Sequence, residues 1–224
     1  MRLSIIVPVL NEAAGIAHAL SALQAYRRWG HEIIVVDGGS DDATRKLAAP
    51  LADRVLTSPP GRARQMNLGA ARARGDVLLF LHADTTLPAQ ADERIAAALR
   101  AGARWGRFDV RLSGRHLLLR VIERMMNLRS RLTRIATGDQ ALFVMRELFR
   151  RAGGFEQIPL MEDIDLSRRL KRLAPCACLR QRVTTSSRRW EENGVLATML
   201  LMWRLRLAYW LGADPARLVR DYYR

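Results

Sequence analysis

The chain has 224 residues, which is enough for one domain with a substantial buried core. Its 49% hydrophobic and 26% charged residues exclude a disordered or collagen-like protein. The formal net charge of +15 predicts an anionic partner, and by itself it leaves nucleic acid, an anionic membrane face and a phosphorylated substrate as alternatives.

The N-terminus and the cysteines favour a cytoplasmic protein. Residues from Met1 run directly into an apolar segment without a small-residue cleavage site, so we expect a first strand there and not a signal peptide. Cys176 and Cys178 lie two apart on a predicted strand, a spacing that seldom permits a disulfide.

Strands and helices alternate over the first half of the chain. The apolar β-branched runs predict strands at Leu3–Val9, Glu32–Val36, Arg54–Thr57 and Asp76–Leu81. Helices are predicted from about Glu12, from about Asp41 and over Arg62–Arg74. This alternation predicts an α/β fold with a mainly parallel sheet, in which ligands bind at the carboxyl ends of the strands.

The second half continues with helices and strands of less regular order. We predict helices from beyond Pro88 to about Ala101, and over His116–Arg134, Glu162–Leu173 and Val195–Leu211. Strands are predicted at Trp105–Leu112, Gln140–Met145 and Cys176–Thr184. In the second of these helices, an apolar side is expected from Leu118, Ile122, Met125 and Leu132, with an outward basic side from Arg120, Arg124, Arg131 and Arg134.

Two aspartates directly follow apolar strands. In a parallel sheet Asp37 and Asp84 would share one crevice, where Asp37 would bond a base or ribose and Asp84 would hold a metal on phosphate oxygens. The alternative is that each caps the helix that follows it.

Arg62 and Arg64, after Gly61, are placed to reach a phosphate. A glycine-rich dinucleotide fingerprint and a Walker sequence are both missing from the sequence, which disfavours a dehydrogenase or a phosphate-loop NTPase.

A second acidic cluster, Glu162-Asp163-Ile164-Asp165, opens a predicted helix. Carboxylates at that position are stabilised by the helix dipole, which is sufficient to explain them. The functional alternative is a general base that takes the proton of an attacking hydroxyl. Spacing alone leaves both explanations open.

Together, these segments resemble the family 2 glycosyltransferases, which have the fold called GT-A, and in particular small bacterial members of that family. The resemblance rests on segments in family order: Ile5–Glu12 (IIVPVLNE), Asp37–Asp42 (DGGSDD), Gly61–Gly69 (GRARQMNLG), Leu81–Thr85 (LHADT), Gly138–Phe143 (GDQALF), and Gly153–Phe155 with Glu162–Leu166 (EDIDL). It implies a Rossmann-like GT-A domain, which we expect over residues 1–190. A C-terminal helical extension is expected over residues 191–224.

The resemblance also implies the roles of individual residues. The nucleotide base and ribose would be lined by Pro8, Asn11, Glu12 and Asp37, and Arg62 and Asn67 would lie beside the donor. Asp84 is similar to the metal-binding aspartate of the family's Asp-x-Asp motif, and Asp163 to its catalytic base, which implies direct displacement with inversion. Residues expected at the acceptor, or directly behind those that touch it, are Asp139, Gln140, Glu162 and Trp190.

Two departures from the family pattern limit what it implies. His82 replaces the first aspartate of the metal motif, and it suits Mn²⁺ better than Mg²⁺. His82 either ligates the metal, or hydrogen-bonds a phosphate or packs beside the sheet.

Arg189-Trp190 resembles the end of the processive enzymes' Gln-x-x-Arg-Trp motif, but Ser186 replaces the glutamine, so transfer of a single sugar is expected. Trp190 either stacks on the acceptor or packs in the protein.

The apolar C-terminal helix is too short, and too interrupted by Arg204 and Arg206, to span a bilayer. It either lies in the interface of an anionic membrane, on the inner face, or packs against its own domain or a second copy in a homodimer. With a lipid-linked acceptor, it and the basic helix His116–Arg134 would form the docking surface.

The leading hypothesis is a transferase that moves a sugar from a nucleoside-diphosphate donor, with uridine favoured, to an unidentified acceptor with the help of Mn²⁺ or Mg²⁺. The competing hypotheses are a nucleotide-sugar-binding protein that has lost catalysis and a basic nucleic-acid-binding protein. The sequence contains no recognisable nucleic-acid-binding module, so nucleic acid is not the expected partner. A nucleotidyltransferase is disfavoured because Asn11-Glu12 stands where such enzymes carry a glycine- and arginine-rich loop.

Overall fold

The apolar runs of the first half form the strands expected of them. In the computed structural model, which describes residues 1–222, the first half contains β1 (Leu3–Val9), α1 (Ile16–Ala22), α2 (Gln24–Arg28), β2 (Glu32–Asp37), α3 (Thr44–Ala48), β3 (Arg54–Thr57), α4 (Arg62–Arg72), β4 (Val77–Phe80), β5 (Thr85–Thr86) and α5 (Ala91–Arg100). The second half contains β6 (Trp105–Leu112), α6 (Leu117–Thr133), a 3₁₀ turn (Gly138–Gln140), β7 (Phe143–Met145), α7 (Arg146–Arg151), α8 (Glu162–Leu173), β8 (Cys176–Thr185), α9 (Arg188–Glu192), α10 (Val195–Trp210) and α11 (Pro215–Tyr222).

All eight strands belong to one mixed sheet of order β3-β2-β1-β4-β7-β6-β8-β5. The four strands β3, β2, β1 and β4 are parallel, as predicted, and β7 joins β4 and β6 in antiparallel pairing. Alternate residues of the strands face opposite sides. Ile5 and Val7 pack in the core on one side of the sheet with α1 and α5, whereas Ile6 packs on the other side with α4 and α8. The predicted α/β architecture is therefore confirmed.

Several predicted boundaries differ from the observed ones. The strand expected from Gln140 begins at Phe143, because Thr137 and Gln140 cap each other and wind the chain into the 3₁₀ turn. The first helix begins at Ile16 and not near Glu12, since Asn11 is in the left-handed region with a φ of 54°. The helix expected from Asp41 begins at Thr44. Four short elements, β5, α7, α9 and α11, were not predicted.

Helix α6 contacts the sheet through polar side chains. Asn127 Oδ1 accepts a hydrogen bond from the Val110 N–H at 2.8 Å, and its Nδ2 donates to the Val110 carbonyl oxygen at 3.0 Å. Glu123 Oε1 accepts from the Leu112 N–H at 2.5 Å. β6 pairs with β7 through its first two residues, so the rest of that edge takes its partners from α6. Buried backbone groups must be hydrogen-bonded, and the side chains of α6 replace a neighbouring strand.

The predicted division of α6 into an apolar side and an outward basic side is therefore only partly confirmed, since Arg124 and Arg134 are exposed as predicted. Arg120 and Arg131, expected to face outward, bond to β6 through the Leu112 carbonyl oxygen at 2.6 Å and the Asp109 carboxylate at 2.5 Å. Of the expected apolar side, Ile122 is buried. The exposed members are Leu118 (37%), Met125 (40%) and Leu132 (75%).

Helices α10 and α11 pack against the sheet domain in a shared apolar cluster, and the start of α10 adds Val195 and Met199 to a second cluster with α6. Leu205 and Leu218 are buried in the shared cluster, together with Met161 and Ile164 at the start of α8. Arg189 also lies over the Tyr222 ring, 3.5 Å from its centroid, and so links α9 to α11. Within residues 1–222, no helix has the length and apolar character needed to cross a membrane.

Candidate active site

The carboxyl ends of β1, β2 and β4 lie at one edge of the sheet. β2 and β4 flank β1 in parallel, with Val9 opposite Asp37 and Ile6 opposite Phe80. Asp84 follows β4 by four residues, so the predicted acids Asp37 and Asp84 lie on the same edge. The sequence-based expectation of a shared crevice at this edge therefore agrees with the strand order.

The loops after β1 and β2 are hydrogen-bonded to each other. The N–H of Asn11 donates to Ser40 Oγ at 2.9 Å, and the N–H of Glu12 donates to Thr44 Oγ1 at 2.8 Å. Asp37 is fully buried, and its carboxylate accepts from Ser40 N–H at 3.0 Å and from the Ser40 hydroxyl. Asp37 therefore holds the loop that forms the floor of the crevice, and it does not cap α3, which begins at Thr44 after Ala43. Pro8, half-buried at the end of β1, borders the same floor.

Glu12 and Asp84 share the crevice. Burial raises the pKa of Glu12, and the neighbouring carboxylates of Asp84 and Asp42 raise it further against the opposing charges of Arg188 and His82. The charge of Asp84 therefore acts on Glu12, and both predicted residues belong to the same end of the sheet. Arg188, at the start of α9, was not predicted at the site.

Asp84 carries a carboxylate oxygen that is open to a ligand. Its Oδ1 accepts hydrogen bonds from the hydroxyls of Thr85 at 3.2 Å and Thr185 at 3.5 Å. No hydrogen bond reaches Oδ2 from the part of the chain that the structure describes. Within residues 1–222, no group of three or more His, Cys, Asp or Glu side chains is arranged to hold a metal. A divalent cation at Asp84 would fit the mode in which one carboxylate, substrate phosphates and water share the coordination.

His82 faces the 3₁₀ turn. Its Nδ1 lies 3.5 Å from Asp139 Oδ1, and its ring lies so close to Gly138 that a Cβ there would stand 2.4 Å from the ring. Glycine is therefore required at position 138 for this approach. The geometry agrees with the expectation that His82 packs beside the sheet, because the ring is engaged by the turn.

The charge state of Asp139 depends on the same contact. Burial alone would raise the pKa of Asp139, but the hydrogen bond and charge of His82, with Arg62 and Arg206, outweigh burial and lower it. The side chain is 45% exposed, and this exposure is to the inside of a cavity that Asp139 lines. Asp139 is therefore held as a carboxylate in a concave, positively charged environment.

Asp163 and Glu162 begin α8 beside the same turn. Asp163 Oδ2 accepts the Gly138 N–H at 2.7 Å, and Oδ1 accepts the Ile164 N–H at 2.7 Å. Two such bonds orient the carboxylate. Glu162, 3% exposed, has its pKa raised by burial and then by the charge of Asp163.

Arg62 extends from the start of α4 to this pair of acids. Its Nη1 lies 3.5 Å from Glu162 Oε1. Burial alone would lower the pKa of Arg62, but Glu162 and the more distant Asp163 and Asp139 raise it above its ordinary value. The structure therefore joins Arg62, predicted at the donor, to the acids predicted at the acceptor.

Three predicted residues have their polar groups or rings engaged elsewhere. Asn67 donates to the Phe155 carbonyl oxygen at 2.7 Å and accepts its N–H at 2.9 Å, so its amide links α4 to the Gly153–Phe155 loop. Gln140 is fully buried in the 3₁₀ turn, and its Nε2 has no hydrogen-bond partner among the described residues. Trp190 packs in a small apolar cluster with α6 and α10 and lines the same cavity as Asp139.

Two further arginines at the site, besides Arg188, were missed by the sequence reasoning. Arg129 of α6 and Arg206 of α10 line that cavity beside Asp139. Both interact electrostatically with Asp163. Arg206 lies within an apolar helix. This position could have indicated a functional residue, because a charged side chain among leucines requires a partner.

Comparison with known proteins identifies the chain's relatives. A segment of 90 residues is 32% identical to glycosyltransferase AglE of Haloferax volcanii, and one of 91 residues is 38% identical to a PGL/p-HBAD biosynthesis glycosyltransferase of Mycobacterium tuberculosis; they cover 36% and 38% of this chain. A longer match, 25% identical over 178 residues and 75% of this chain, is to the dolichol-phosphate mannosyltransferase of Pyrococcus furiosus. The matches span 30%, 36% and 49% of those proteins.

Solved structures share the fold at low sequence identity. TarS of S. aureus in complex with UDP-GlcNAc superimposes with a TM-score of 0.68 at 19% identity, covering 83% of this chain and 58% of that one. Glucosyl-3-phosphoglycerate synthase of Mycobacterium tuberculosis, in complex with Mn²⁺, UDP and phosphoglyceric acid, gives 0.65 at 21% identity, with coverages of 95% and 79%. These two structures establish the fold alone.

A family model decides the assignment. The model described as Glycosyl transferase family 2 matches residues 4–151, which include the crevice at the ends of β1, β2 and β4 and the 3₁₀ turn beside Asp163. The match covers more than half of the chain. The chain therefore belongs to glycosyl transferase family 2.

Proposed function

We propose that the chain transfers one sugar from a uridine-diphosphate donor to an acceptor hydroxyl, with inversion at the sugar carbon. The observation that carries this proposal is the junction of donor and acceptor sides at the 3₁₀ turn. His82, from the loop between β4 and β5, lies against Gly138, and the Gly138 N–H is bonded to Asp163 at 2.7 Å. A donor bound beside Asp84 and an acceptor beside Asp163 would thus be held by one connected set of residues.

In this proposal the donor lies in the crevice at the ends of β1, β2 and β4. Pro8, Asn11 and Glu12 border the nucleotide, and the buried Asp37 holds the loop beneath it. Arg62 lies beside the diphosphate, where its charge offsets the phosphates. The UDP and UDP-GlcNAc complexes of the two structural neighbours support uridine as the base. Asn67 supports this site indirectly, by holding the Gly153–Phe155 loop.

Asp163 is the general base of the proposed reaction. The acceptor hydroxyl loses its proton to Asp163 as its oxygen forms a bond to the sugar carbon. The bond from that carbon to the diphosphate breaks at the same time, and the nucleoside diphosphate leaves. Both oxygens of Asp163 accept backbone N–H groups, which fix the direction of the carboxylate. Asp139 and Glu162 flank it, and Gln140 stabilises the turn.

A divalent metal, Mn²⁺ or Mg²⁺, is part of the proposal. Asp84 would hold it through the open Oδ2, and the bound metal would supply charge neutralisation on the departing diphosphate. The glucosyl-3-phosphoglycerate synthase structure, which contains Mn²⁺, supports this assignment. His82 is engaged by Asp139 at 3.5 Å, so we assign it to orienting the turn and not to metal ligation.

The exposed apolar surface of α6 and α10 supports a peripheral position on the cytoplasmic face of an anionic membrane. Leu117 and Leu132 of α6 are 81% and 75% exposed, and Trp210 of α10 is 71% exposed. Apolar side chains beside a net charge of +15 are the combination that binds an anionic lipid surface. The dolichol-phosphate mannosyltransferase among the relatives supports a lipid-linked acceptor.

Vesicle co-sedimentation tests the membrane contact. We expect binding to phosphatidylcholine vesicles that contain phosphatidylglycerol and little binding to phosphatidylcholine alone. Equal binding to both, or binding to neither, would contradict it. Analytical ultracentrifugation of the protein alone distinguishes the competing explanation, a homodimer that covers the same leucines.

The proposed reaction is tested by a panel of nucleotide-sugars with and without Mn²⁺. Thermal-shift measurements report which donor raises the melting temperature, since a ligand that binds the folded state stabilises it. Release of the nucleoside diphosphate then reports turnover. Donor binding without turnover would favour the inactive binder. A preference for an oligonucleotide, with a steep salt dependence and no response to sugar nucleotides, would favour the nucleic-acid-binding protein.

A further inference from the structure

A cavity of about 400 Å³ separates α6 from α10. This volume lies within the range of pockets that bind small molecules. Its walls are mainly apolar, and the side chains that form them are Ile122, Met125 and Met126 from α6 and Met199, Met202 and Trp203 from α10. Flexible methionines suit a surface that adapts to an apolar ligand of variable shape.

One part of the cavity is strongly basic. Arg129 and Arg206 line it on facing helices, next to Asp139. Burial and then the charge of Arg206 lower the pKa of Arg129 to about 9. Burial also lowers the pKa of Arg206. Two guanidinium groups that repel each other in a concave site favour an anion between them.

The two nearby carboxylates also bond to groups other than these arginines. Asp139 interacts with His82, and Asp163 accepts the two backbone N–H groups at the start of α8. Nε and Nη2 of Arg129 are buried and have no hydrogen-bond partner within residues 1–222. An unsatisfied buried donor destabilises the folded state, and more so when it is charged, and a bound anion would offset this cost.

The apolar part of the cavity opens onto the exposed surface of the two helices. Met125 and Trp203 line the cavity, and they are also 40% and 50% exposed. Further along the same helices, Leu128 and Leu207 are 58% and 57% exposed. The site therefore joins an anion-binding end, near Asp163, to an apolar path that leads out of the protein.

We propose that this cavity binds the acceptor, and that the acceptor is an anionic lipid whose head group carries the reacting hydroxyl. The phosphate of the lipid binds between Arg129 and Arg206, and its apolar chain lies between α6 and α10. The hydroxyl then lies on the Asp163 side of the phosphate. This inference deepens the proposed function and rests on it, because it names the acceptor of the same transfer.

Tryptophan fluorescence tests the inference without a donor, since Trp190 and Trp203 line the cavity. The probes are dodecyl phosphate, dodecyl maltoside as a neutral amphiphile, and inorganic phosphate, each below any micellar concentration. We expect dodecyl phosphate to bind at least about tenfold more tightly than dodecyl maltoside, because a charge-assisted hydrogen bond contributes about 1.5–3 kcal/mol. Inorganic phosphate should bind weakly and leave the fluorescence unchanged.

Matched arginine variants identify the groups responsible. Combining Arg129→Met with Arg206→Met should abolish the preference for dodecyl phosphate, and combining Arg129→Lys with Arg206→Lys should keep part of it. Arg124→Met is the control, because Arg124 is an exposed residue of the same helix, outside the cavity. Circular dichroism checks that each variant is folded, and the three-probe comparison on the unaltered protein stands even where a variant is not.

Three outcomes would overturn the inference. If dodecyl phosphate and dodecyl maltoside bound equally, the cavity would not recognise an anionic group. If inorganic phosphate bound as tightly as dodecyl phosphate, the cavity would not recognise an apolar chain. If the arginine variants lost UDP binding and kept dodecyl phosphate binding, Arg129 and Arg206 would bind the diphosphate of the donor and not the acceptor. Donor binding is measured separately by thermal shift, so failure of the proposed function appears there and failure of the acceptor site appears in the fluorescence.

Discussion

The carboxylate of Asp163 accepts the backbone N–H of Gly138 at 2.7 Å, across 25 residues of sequence. This bond fixes the start of α8 against the turn that carries Asp139 and packs on His82. The proposed base is therefore positioned by the same backbone that contacts the donor side of the crevice. Each of the following predictions concerns one part of this arrangement.

Asp163→Asn should abolish turnover and leave donor binding within about twofold of the unaltered protein. An asparagine can still accept the Gly138 N–H, but it cannot take the proton of the acceptor, and loss of a general base reduces rates about 10²–10⁴-fold. Nucleoside diphosphate release measures turnover, and calorimetry measures donor binding. Asp165→Asn is the control on the same helix, because Asp165 pairs with Arg169 at 2.5 Å. Turnover by Asp163→Asn at the normal rate would remove that residue from the role of base.

Asp84→Ala should weaken donor binding in the presence of Mn²⁺ and have little effect in its absence. The open Oδ2 of Asp84 is the oxygen available to a cation, so its loss removes the stabilisation that Mn²⁺ adds to UDP binding. The readout is the thermal shift produced by UDP with and without Mn²⁺. Asp41→Asn is the control, because Asp41 is an exposed acid on the neighbouring loop. If Mn²⁺ still increased the thermal shift by UDP in Asp84→Ala, the metal would be bound by residues other than Asp84.

Glu12→Gln should change how stability depends on pH. Because the folded-state pKa of Glu12 is raised above its ordinary value of 4.5, the folded state binds more protons than the unfolded state between these two values. The unaltered protein therefore loses stability as pH rises from about 4.5 to the folded-state pKa, and this loss should be absent in Glu12→Gln. Urea denaturation at pH 4 and pH 7 measures the difference. A stability difference between the two proteins that is identical at both pH values would contradict the prediction.

Asn127→Leu should destabilise the protein by about 2–4 kcal/mol, because it removes both hydrogen bonds to Val110 and leaves buried backbone groups without partners. Leu128→Ala, on the exposed side of α6, should change the free energy of unfolding by less than about 0.5 kcal/mol. Both values come from urea denaturation. The reverse order of effects would mean that α6 contacts the sheet through its apolar side.

The parallel half of the fold could be predicted from local sequence. Leu3–Val9 and Glu32–Val36 are apolar on both faces, and such runs are typical of buried parallel strands. Because parallel strands end at the same edge, the placement of Asp37 and Asp84 followed from the strand order alone. The sequence did not predict that Asp37 would bond to its own loop, because the hydrogen bonds from Ser40 depend on the local turn geometry.

The second half depended on contacts that are distant in sequence. The apolar residues of α6 predicted an inward apolar side, but the unpaired edge of β6 required hydrogen bonds that Glu123 and Asn127 provide. That requirement exists because β7 pairs with the start of β6 and then ends, which no local pattern of α6 contains. The outward leucines and the cavity beside α10 follow from this orientation.

The sequence by itself determined the family, the alternation of strands and helices, and the acids at the ends of the strands, because these depend on periodicity and on motifs within short segments. Tertiary structure alone decided which groups meet at the proposed acceptor site. Arg129 and Arg206 lie 77 positions apart, and they face each other because α6 covers the edge of β6 with its polar side and α10 packs beside it. Burial and charge at such a site are properties of packed elements, and they arise only when distant segments meet.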